Sequence, residues 1–420
     1  MLKRFISYYK PHLRLFTLDM LASLVISLTG IIYPIITRRM LNDLIPNREY
    51  RLIVIFGVGL LAVYLVRMGL NYFVQYYGHV MGVKMQARMR SDMFRRLEEL
   101  PYSFYDSHET GKIMSRMTND LMDISELAHH GPENLLISGI TIITSFCYLM
   151  SINVPLTLIV FACVPLLVII SLSLRVKMRD AFKKSRESVA EINAALESSI
   201  SGIRVTKAFT NSEKETEKFE VGNKKFVTSR SAAYKAMGQF HSGTSFVTDV
   251  FNVVVLIAGG LFLYGGKISF GDYSTFIVSI GIFVTPVMTL INFMEQYQNG
   301  VTGFERFVEI MDAEPEKDSD GAKDAGKLSG DIELSHVSYA YDDSKEVLRD
   351  VSLKINKGET FALVGPSGGG KTTICHLIPH FYDVTNGKIL LDGKEIHSLT
   401  MESVRRNIGI VQQDIYLFNA

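Results

Sequence analysis

Apolar residues gather in six runs along the first three hundred positions, at about 15–37, 52–77, 135–152, 156–174, 246–264 and 276–294. A helix rises 1.5 Å per residue, so about 20 such residues cross a hydrocarbon core about 30 Å thick, and six spans are predicted. Three connections are short, at 41–50, 153–155 and 265–272, while those between spans two and three and between spans four and five are long. In the long connections the pattern changes from a continuous run to a helical stripe. Met81, Met85, Met89, Met93 and Leu97 recur every fourth residue amid Lys84, Arg88, Arg90, Arg95 and Arg96, which predicts one amphipathic helix whose methionines serve packing. A helix running from 52 to 97 is about 70 Å long, so about 40 Å projects beyond the hydrocarbon as a stalk. Val189, Ile192, Leu196 and Ile200 extend the fourth span in the same way.

Both stalks end where the periodicity stops. The first end reads Pro101-Tyr102-Ser103-Phe104-Tyr105-Asp106, followed by a polar stretch at 110–120; the second covers 201–209. Breakers with aromatics at a hairpin tip suit either contact with another domain or a solvated turn, and periodicity does not choose between them. Residues 1–14 place Lys3, Arg4, Lys10 and Arg14 among Phe5, Tyr8 and Tyr9, a composition suited to a short helix at the cytoplasmic interface. The run that follows is too long for a signal peptide and lacks a small-residue cleavage site. A basic terminus inside and six spans put the carboxy-terminal segment in the cytoplasm. Arg38, Arg39, Arg48 and Arg51 in the first external loop oppose that orientation, and the two basic stalk loops outweigh them.

Past residue 312 the lipid-facing pattern ends. Residues 313–329 form a polar linker, and 330–420 read as a soluble α/β segment. Alternating stretches at 332–334, 337–341, 351–355, 388–391 and 409–411 are strand candidates, with turns at Asp342-Asp343 and Lys357-Gly358. A short apolar strand at 361–364 precedes Gly-Pro-Ser-Gly-Gly-Gly-Lys-Thr-Thr at 365–373, and a helix follows. Strand, Gly-x4-Gly-Lys-Thr and helix together make a P-loop: Gly365, Ser367, Gly368, Gly369 and Gly370 let backbone N–H groups turn in around a polyphosphate. Lys371 reaches the β/γ-phosphates, Thr372 ligates Mg²⁺, and Thr373 completes the loop. ATP and Mg²⁺ are therefore the expected cofactors.

Composition changes this picture little. Hydrophobic residues make up 47% of the 420, and the mean hydropathy is positive, as residues solvated by lipid require. Lys+Arg 44 against Asp+Glu 43 leaves no field to attract nucleic acid. Cys147, Cys163 and Cys375 lack metal or redox spacing. Asp19, Arg67, Asp249, Asn252 and Glu295 lie in or near spans, where a polar group is a functional candidate as readily as a helix-pairing residue. A soluble P-loop kinase is excluded by six separate spans.

These residues resemble ATP-binding cassette exporters, specifically half-transporters of the bacterial multidrug and lipid type, in which six transmembrane helices precede one nucleotide-binding domain. The likeness covers essentially the whole chain. It rests on the P-loop, on Phe104-Tyr105-Asp106 with Gly111, Ser115-Arg116 and Asn119-Asp120, on Gly202-Ile203 with Lys207 to Phe209, on Val337 to Tyr341, and on Val411-Gln412-Gln413-Asp414 with Leu417-Phe418. The resemblance implies that Phe104, Tyr105 and Asp106, and Val205, Thr206 and Lys207, belong to two coupling helices that dock on the cassette. It further implies that Tyr341 stacks on adenine and that Gln413, in the Q-loop, contacts Mg²⁺ and senses the γ-phosphate.

The signature motif, the Asp-Glu strand and the switch histidine of such cassettes lie downstream of the Q-loop and do not occur in this sequence. Leu328-Ser329-Gly330-Asp331 and Ile389-Leu390-Leu391-Asp392 imitate two of them in the wrong places and read as linker and strand edge. The expected architecture is thus a membrane α-helical domain with cytoplasmic extensions (1–312), a linker (313–329) and an incomplete α/β nucleotide-binding domain (330–420), a chain truncated after the Q-loop. The expected function is ATP-driven export of an amphipathic, drug-like or lipid-like substrate across the cytoplasmic membrane, by a homodimer or heterodimer of half-transporters acting as an ATPase. The chain alone is expected to bind Mg·ATP weakly and to catalyse no turnover, with no catalytic residue of its own. The alternative is a native, non-catalytic nucleotide-binding subunit or regulator.

Overall fold

Six helices of 43 to 53 residues carry the apolar runs: Leu2–Leu44, Tyr50–Glu98, Thr110–Ile152, Val154–Ser201, Ser212–Tyr264 and Phe270–Asp312. At 1.5 Å per residue they are about 65–80 Å long, more than twice a hydrocarbon core, so the stalks are continuations of the spans. The computed structural model describes residues 1–341 and 346–411. The turn expected at Asp342-Asp343 and the Q-loop glutamine Gln413 lie outside the described residues.

The described residues divide into two compact units, Met1–Ala87 with Met122–Phe304, and Arg88–Leu121 with Glu305–Ala420. In the first unit a core joins Leu149, Leu156, Val160 and Leu167 to Val247, Phe251, Phe276, Ile280 and Phe283 from the fifth and sixth helices. The amino-terminal helix Leu2–Ser7 is separated from Leu13–Thr29 by a turn at Lys10–His12 that contains Pro11. Tyr9 is buried there and its hydroxyl donates to the Ala128 carbonyl at 2.7 Å.

The methionine stripe is buried along its whole length, Met81, Met85, Met89 and Met93 at 1% exposure or less. The apolar stripe of the fourth helix is covered less well: Val189 and Ile200 are exposed, while Ser185 and Ser188 are buried. Small residues suit the close approach of this helix to the fifth, and a helix packed mainly on one neighbour leaves its outer apolar positions bare.

The second unit contains a four-stranded sheet of β1 (Ile332–Tyr339), β2 (Leu348–Ile355), β3 (Asn386–Leu391) and β4 (Lys394–Glu395), in the order β2-β1-β3-β4. Every pairing is antiparallel, with Leu334 opposite Leu353 on one side and Ile389 on the other. Leu334, Val337, Ile389 and Leu391 pack with Ile374 and Leu377 of the helix Lys371–Leu377. The stretches expected at 332–334 and 337–341 are one irregular strand, in which His336 has a φ of +50°.

Two expected strands are absent: residues 361–364 and 409–411 pair with nothing among the described residues, and Val364 and Val411 are more than 90% exposed. An apolar run that suits a strand flanked on both sides becomes one only when its neighbours supply the ladder.

Candidate functional site

The P-loop winds around left-handed glycines, Gly368 at φ +78° and Gly370 at φ +80°. An added Cβ at Gly370 would also lie 2.4 Å from Leu348 Cδ2, so both conformation and space demand glycine where the loop enters the helix. Lys371 Nζ donates to the carbonyls of Gly365 at 3.0 Å and Pro366 at 2.6 Å, which folds the ammonium over its own loop. Gly365, Ser367, Gly368, Gly369 and Thr372 are exposed, whereas Thr373 is buried. The Thr373 hydroxyl lies 3.2 Å from the Tyr341 hydroxyl, so the two threonines divide, one facing outward and the other anchoring the loop to Tyr341. An ammonium and an outward hydroxyl beside exposed glycine backbone form a donor set suited to a polyphosphate with its divalent cation.

Tyr341 stands at the edge of an aromatic group, its ring 4.8 Å from Tyr339 and 5.4 Å from Tyr382. Tyr382 links this group to the first stalk tip. Its hydroxyl donates to Asp106 Oδ2 at 2.6 Å, and Tyr102 stacks on the neighbouring Phe381 with centroids 4.2 Å apart. Burial and then the Asp106 carboxylate push the Tyr382 phenol above its ordinary range. Of the three residues expected at this tip, only Asp106 makes a side-chain hydrogen bond to the nucleotide-binding segment among the described residues. Tyr105 instead donates to the Leu97 carbonyl, and Phe104 stacks on His108 at 4.1 Å.

Further ties fasten the same region. Glu316 N donates to Glu99 O at 2.8 Å, and Arg405 grips the Glu316 carboxylate with two bonds of 2.7 Å. The Asp392 carboxylate accepts from the backbone N–H groups of Ser329, Gly330 and Asp331, and these bonds hold it below the usual carboxylate range. Asp392 therefore acts as a strand-edge clasp on the linker residues. Sequence reasoning placed Tyr102 in the tip without choosing a role for it and missed Glu316, Phe381, Tyr382 and Arg405; the one local sign was an aromatic pair, Phe381-Tyr382, in a polar stretch.

The second tip, Ile203–Ala208, carries Val205, Thr206 and Lys207 on a six-residue helix. Val205 is 62% exposed and Phe209 is 77% exposed. Among the polar residues near spans, Arg67 lines a cavity of about 430 Å³ with Asn134, Ser138 and Thr289. Glu295 pairs with Arg175 at 3.1 Å, Asp249 and Asn252 are exposed, and Asp19 is fully buried.

Comparison with known proteins agrees with this arrangement. Residues 16–287 match the family described as ABC transporter transmembrane region, and residues 348–420 match the family described as ABC transporter. The chain is 39% identical over 420 residues to the uncharacterized ABC transporter ATP-binding protein YwjA of Bacillus subtilis (strain 168), covering all of this chain and 73% of that protein. It is 29% identical over 420 residues to an ATP-dependent lipid A-core flippase of Syntrophus aciditrophicus (strain SB), covering 99% and 69%. It is 32% identical over 336 residues to a fatty acid ABC transporter ATP-binding/permease protein of Mycobacterium bovis, covering 80% and 53%. Six long spans, a cassette segment behind them and matches across both regions have one reading: the chain belongs to the ABC transporters, as an exporter half-transporter whose transmembrane domain is fused ahead of a nucleotide-binding domain.

Proposed function

We propose that the protein drives export of an amphipathic or lipid-like compound across the cytoplasmic membrane, as one half of a dimer that binds Mg·ATP. The observation that carries this reading is the joined path from loop to stalk: Thr373 to Tyr341, Tyr341 to Tyr382, and Tyr382 to Asp106 at the stalk tip. Gly365 to Gly370 and Lys371 would hold the phosphates, Thr372 with Gln413 the Mg²⁺, and Tyr341 the adenine. Bound Mg·ATP supplies the free energy for the conformational cycle. What this chain contributes is a positively charged cradle and a packed route by which a shift of the P-loop unit moves Tyr102 and Asp106. The exposed second tip, with Val205 and Phe209, would dock on the cassette of the partner half-transporter. The relatives named for lipid A-core and fatty acids support a lipidic substrate class.

Inside-out vesicles bearing the complete dimer should take up lipid-like or amphipathic probes on addition of ATP. Absence of ATP-dependent uptake across a broad panel would refute the export reading. Binding of a fluorescent ATP analogue to the purified chain, lost in Lys371→Ala, tests the nucleotide site separately.

A further inference from the structure

Three histidines from two helices meet a buried aspartate from a third. His79 lies on the second long helix, one residue beyond a wide π-turn at Val74–Gly78, and His129 and His130 lie on the third. One nitrogen from each ring lies within 4.8 Å of the others. The ring centroids are 4.5, 5.1 and 4.6 Å apart. His129 is 2% exposed and Asp19 is 0% exposed, yet neither His129 nitrogen and neither Asp19 carboxylate oxygen has a hydrogen bond. Buried groups of this kind carry a desolvation penalty that only a partner removes. The room for the cluster is provided by glycine: an added Cβ at Gly78 would stand 1.9 Å from the His129 ring.

The carboxylate of Glu133 completes the group. Its Oε2 is 3.3 Å from both His129 Nε2 and His130 Nδ1. Ligands about 2.0–2.1 Å from a tetrahedral Zn²⁺ are separated by about 3.3 Å, so these two separations, of which the one to His130 is a hydrogen bond, match edges of such a polyhedron. His79 Nδ1 is 2.6 Å from the Gln75 carbonyl, which makes it the protonated nitrogen and leaves Nε2 with a free lone pair. The remaining ring nitrogens also face oxygen acceptors, His129 Nδ1 toward Asp19 Oδ2 at 4.0 Å and His130 Nε2 toward Glu126 Oε2 at 3.5 Å. An oxygen behind each ligating imidazole is the outer-shell arrangement that orients histidines around a metal.

We propose that His79 Nε2, His129 Nε2, His130 Nδ1 and Glu133 Oε2 form a binding site for a divalent transition-metal ion of the Zn²⁺ type, with Asp19 and Glu126 as outer-shell acceptors. Imidazole and carboxylate ligands favour such an ion over Ca²⁺ or Mg²⁺, which take oxygen. The cation offsets the charge of the buried carboxylates and ties the second helix to the third, with the first joined through Asp19. Binding draws the 4.8 Å cluster inward by rotation of the half-buried His79 and His130 toward the buried His129 and Glu133.

The test uses the purified chain in detergent micelles, stripped with chelator and titrated with Zn²⁺, and with Co²⁺ for its visible absorption. One equivalent of Zn²⁺ should bind, and Co²⁺ should give the intense bands of a four-coordinate site. His79→Asn and His130→Asn, both at half-buried positions, should weaken Zn²⁺ binding by more than about 100-fold, and Glu126→Gln by about 10-fold as an outer-shell change. His380→Asn, in a separate His380–Asp383–His397 group, should leave that binding unchanged. Absence of Zn²⁺ uptake overturns the proposal and leaves a histidine–carboxylate cluster that holds protons only. Uptake that survives His79→Asn and His130→Asn but is lost in His380→Asn overturns it equally. Retained size-exclusion profile and helical circular dichroism distinguish lost ligands from lost fold, and nucleotide binding at Lys371 is measured on the same samples.

Discussion

Two arms leave the spans and end in helices of six residues, Tyr102–Ser107 and Ile203–Ala208, but their surroundings differ. The first arm descends through methionines that are almost wholly buried, and its tip is engaged by Phe381 and Tyr382. The second descends through a stripe that is half covered and ends with Val205 and Phe209 in the open. Similar local composition thus yields one tip satisfied within its own chain and one presenting apolar surface. Burial at a tip is decided by the surface opposite, and for the second tip the proposed surface is the partner's cassette.

The sharpest way to break the comparison is in the stalks. Met89→Ala should destabilise the chain by about 2–5 kcal/mol because a buried side chain leaves a cavity, whereas Ile200→Ala should change stability by less than about 0.5 kcal/mol. Thermal unfolding in matched detergent reads both; equal shifts would erase the distinction between the arms.

At the first tip, Tyr102→Ala and Phe381→Ala combined in a double-mutant cycle should report a coupling of about 0.5–1.5 kcal/mol from the stacked pair. Tyr382→Phe should cost about 1 kcal/mol, since a charged acceptor strengthens the bond while solvent at a partly exposed pair weakens it. In the complete dimer these variants should bind nucleotide normally and transport slowly.

A smaller effect concerns Asp392, whose depressed pKa makes it a contributor on the acid side. Its contribution is full above the ordinary carboxylate value of about 4 and disappears as pH falls through the lower folded-state value. Asp392→Asn should flatten the acid limb of a stability–pH curve, and an unchanged limb would show that the clasp on Ser329, Gly330 and Asp331 has no energetic weight. Smallest of all, Val205→Ser and Phe209→Ser should leave the stability of the isolated chain within about 0.5 kcal/mol of the original. Loss of transport in those variants, with nucleotide binding intact, would sharpen the contrast with the first tip.

Much of the architecture was legible because it depends on local pattern. The spans follow from twenty-residue apolar runs, and the Met81 to Leu97 stripe follows from the 3.6-residue repeat, since either feature is complete within a few turns of helix. The P-loop is equally local: Gly368 and Gly370 need positive φ, and Lys371 and Thr372 must follow at fixed offsets. Where the reading failed, as at 361–364 and 409–411, strand formation depended on ladder partners that neighbouring residues do not supply. The partial coverage of Val189 and Ile200 was invisible for a related reason, because an apolar stripe states which face seeks burial and not whether a neighbour reaches it.

The amino-acid sequence by itself determined six spans, continuous stalks and a glycine-rich P-loop, which arise from short-range periodicity and spacing, while the family was legible through a resemblance of motifs spread along the chain. Tertiary structure alone decided that Asp106 meets Tyr382 across 276 residues of chain, that Asp392 clasps the linker, and that Asp19 approaches His129 where that ring clusters with His79 and His130. Packing brings together groups from separate elements whose order along the chain carries no record of the meeting, and short buried polar contacts form only after those elements have docked.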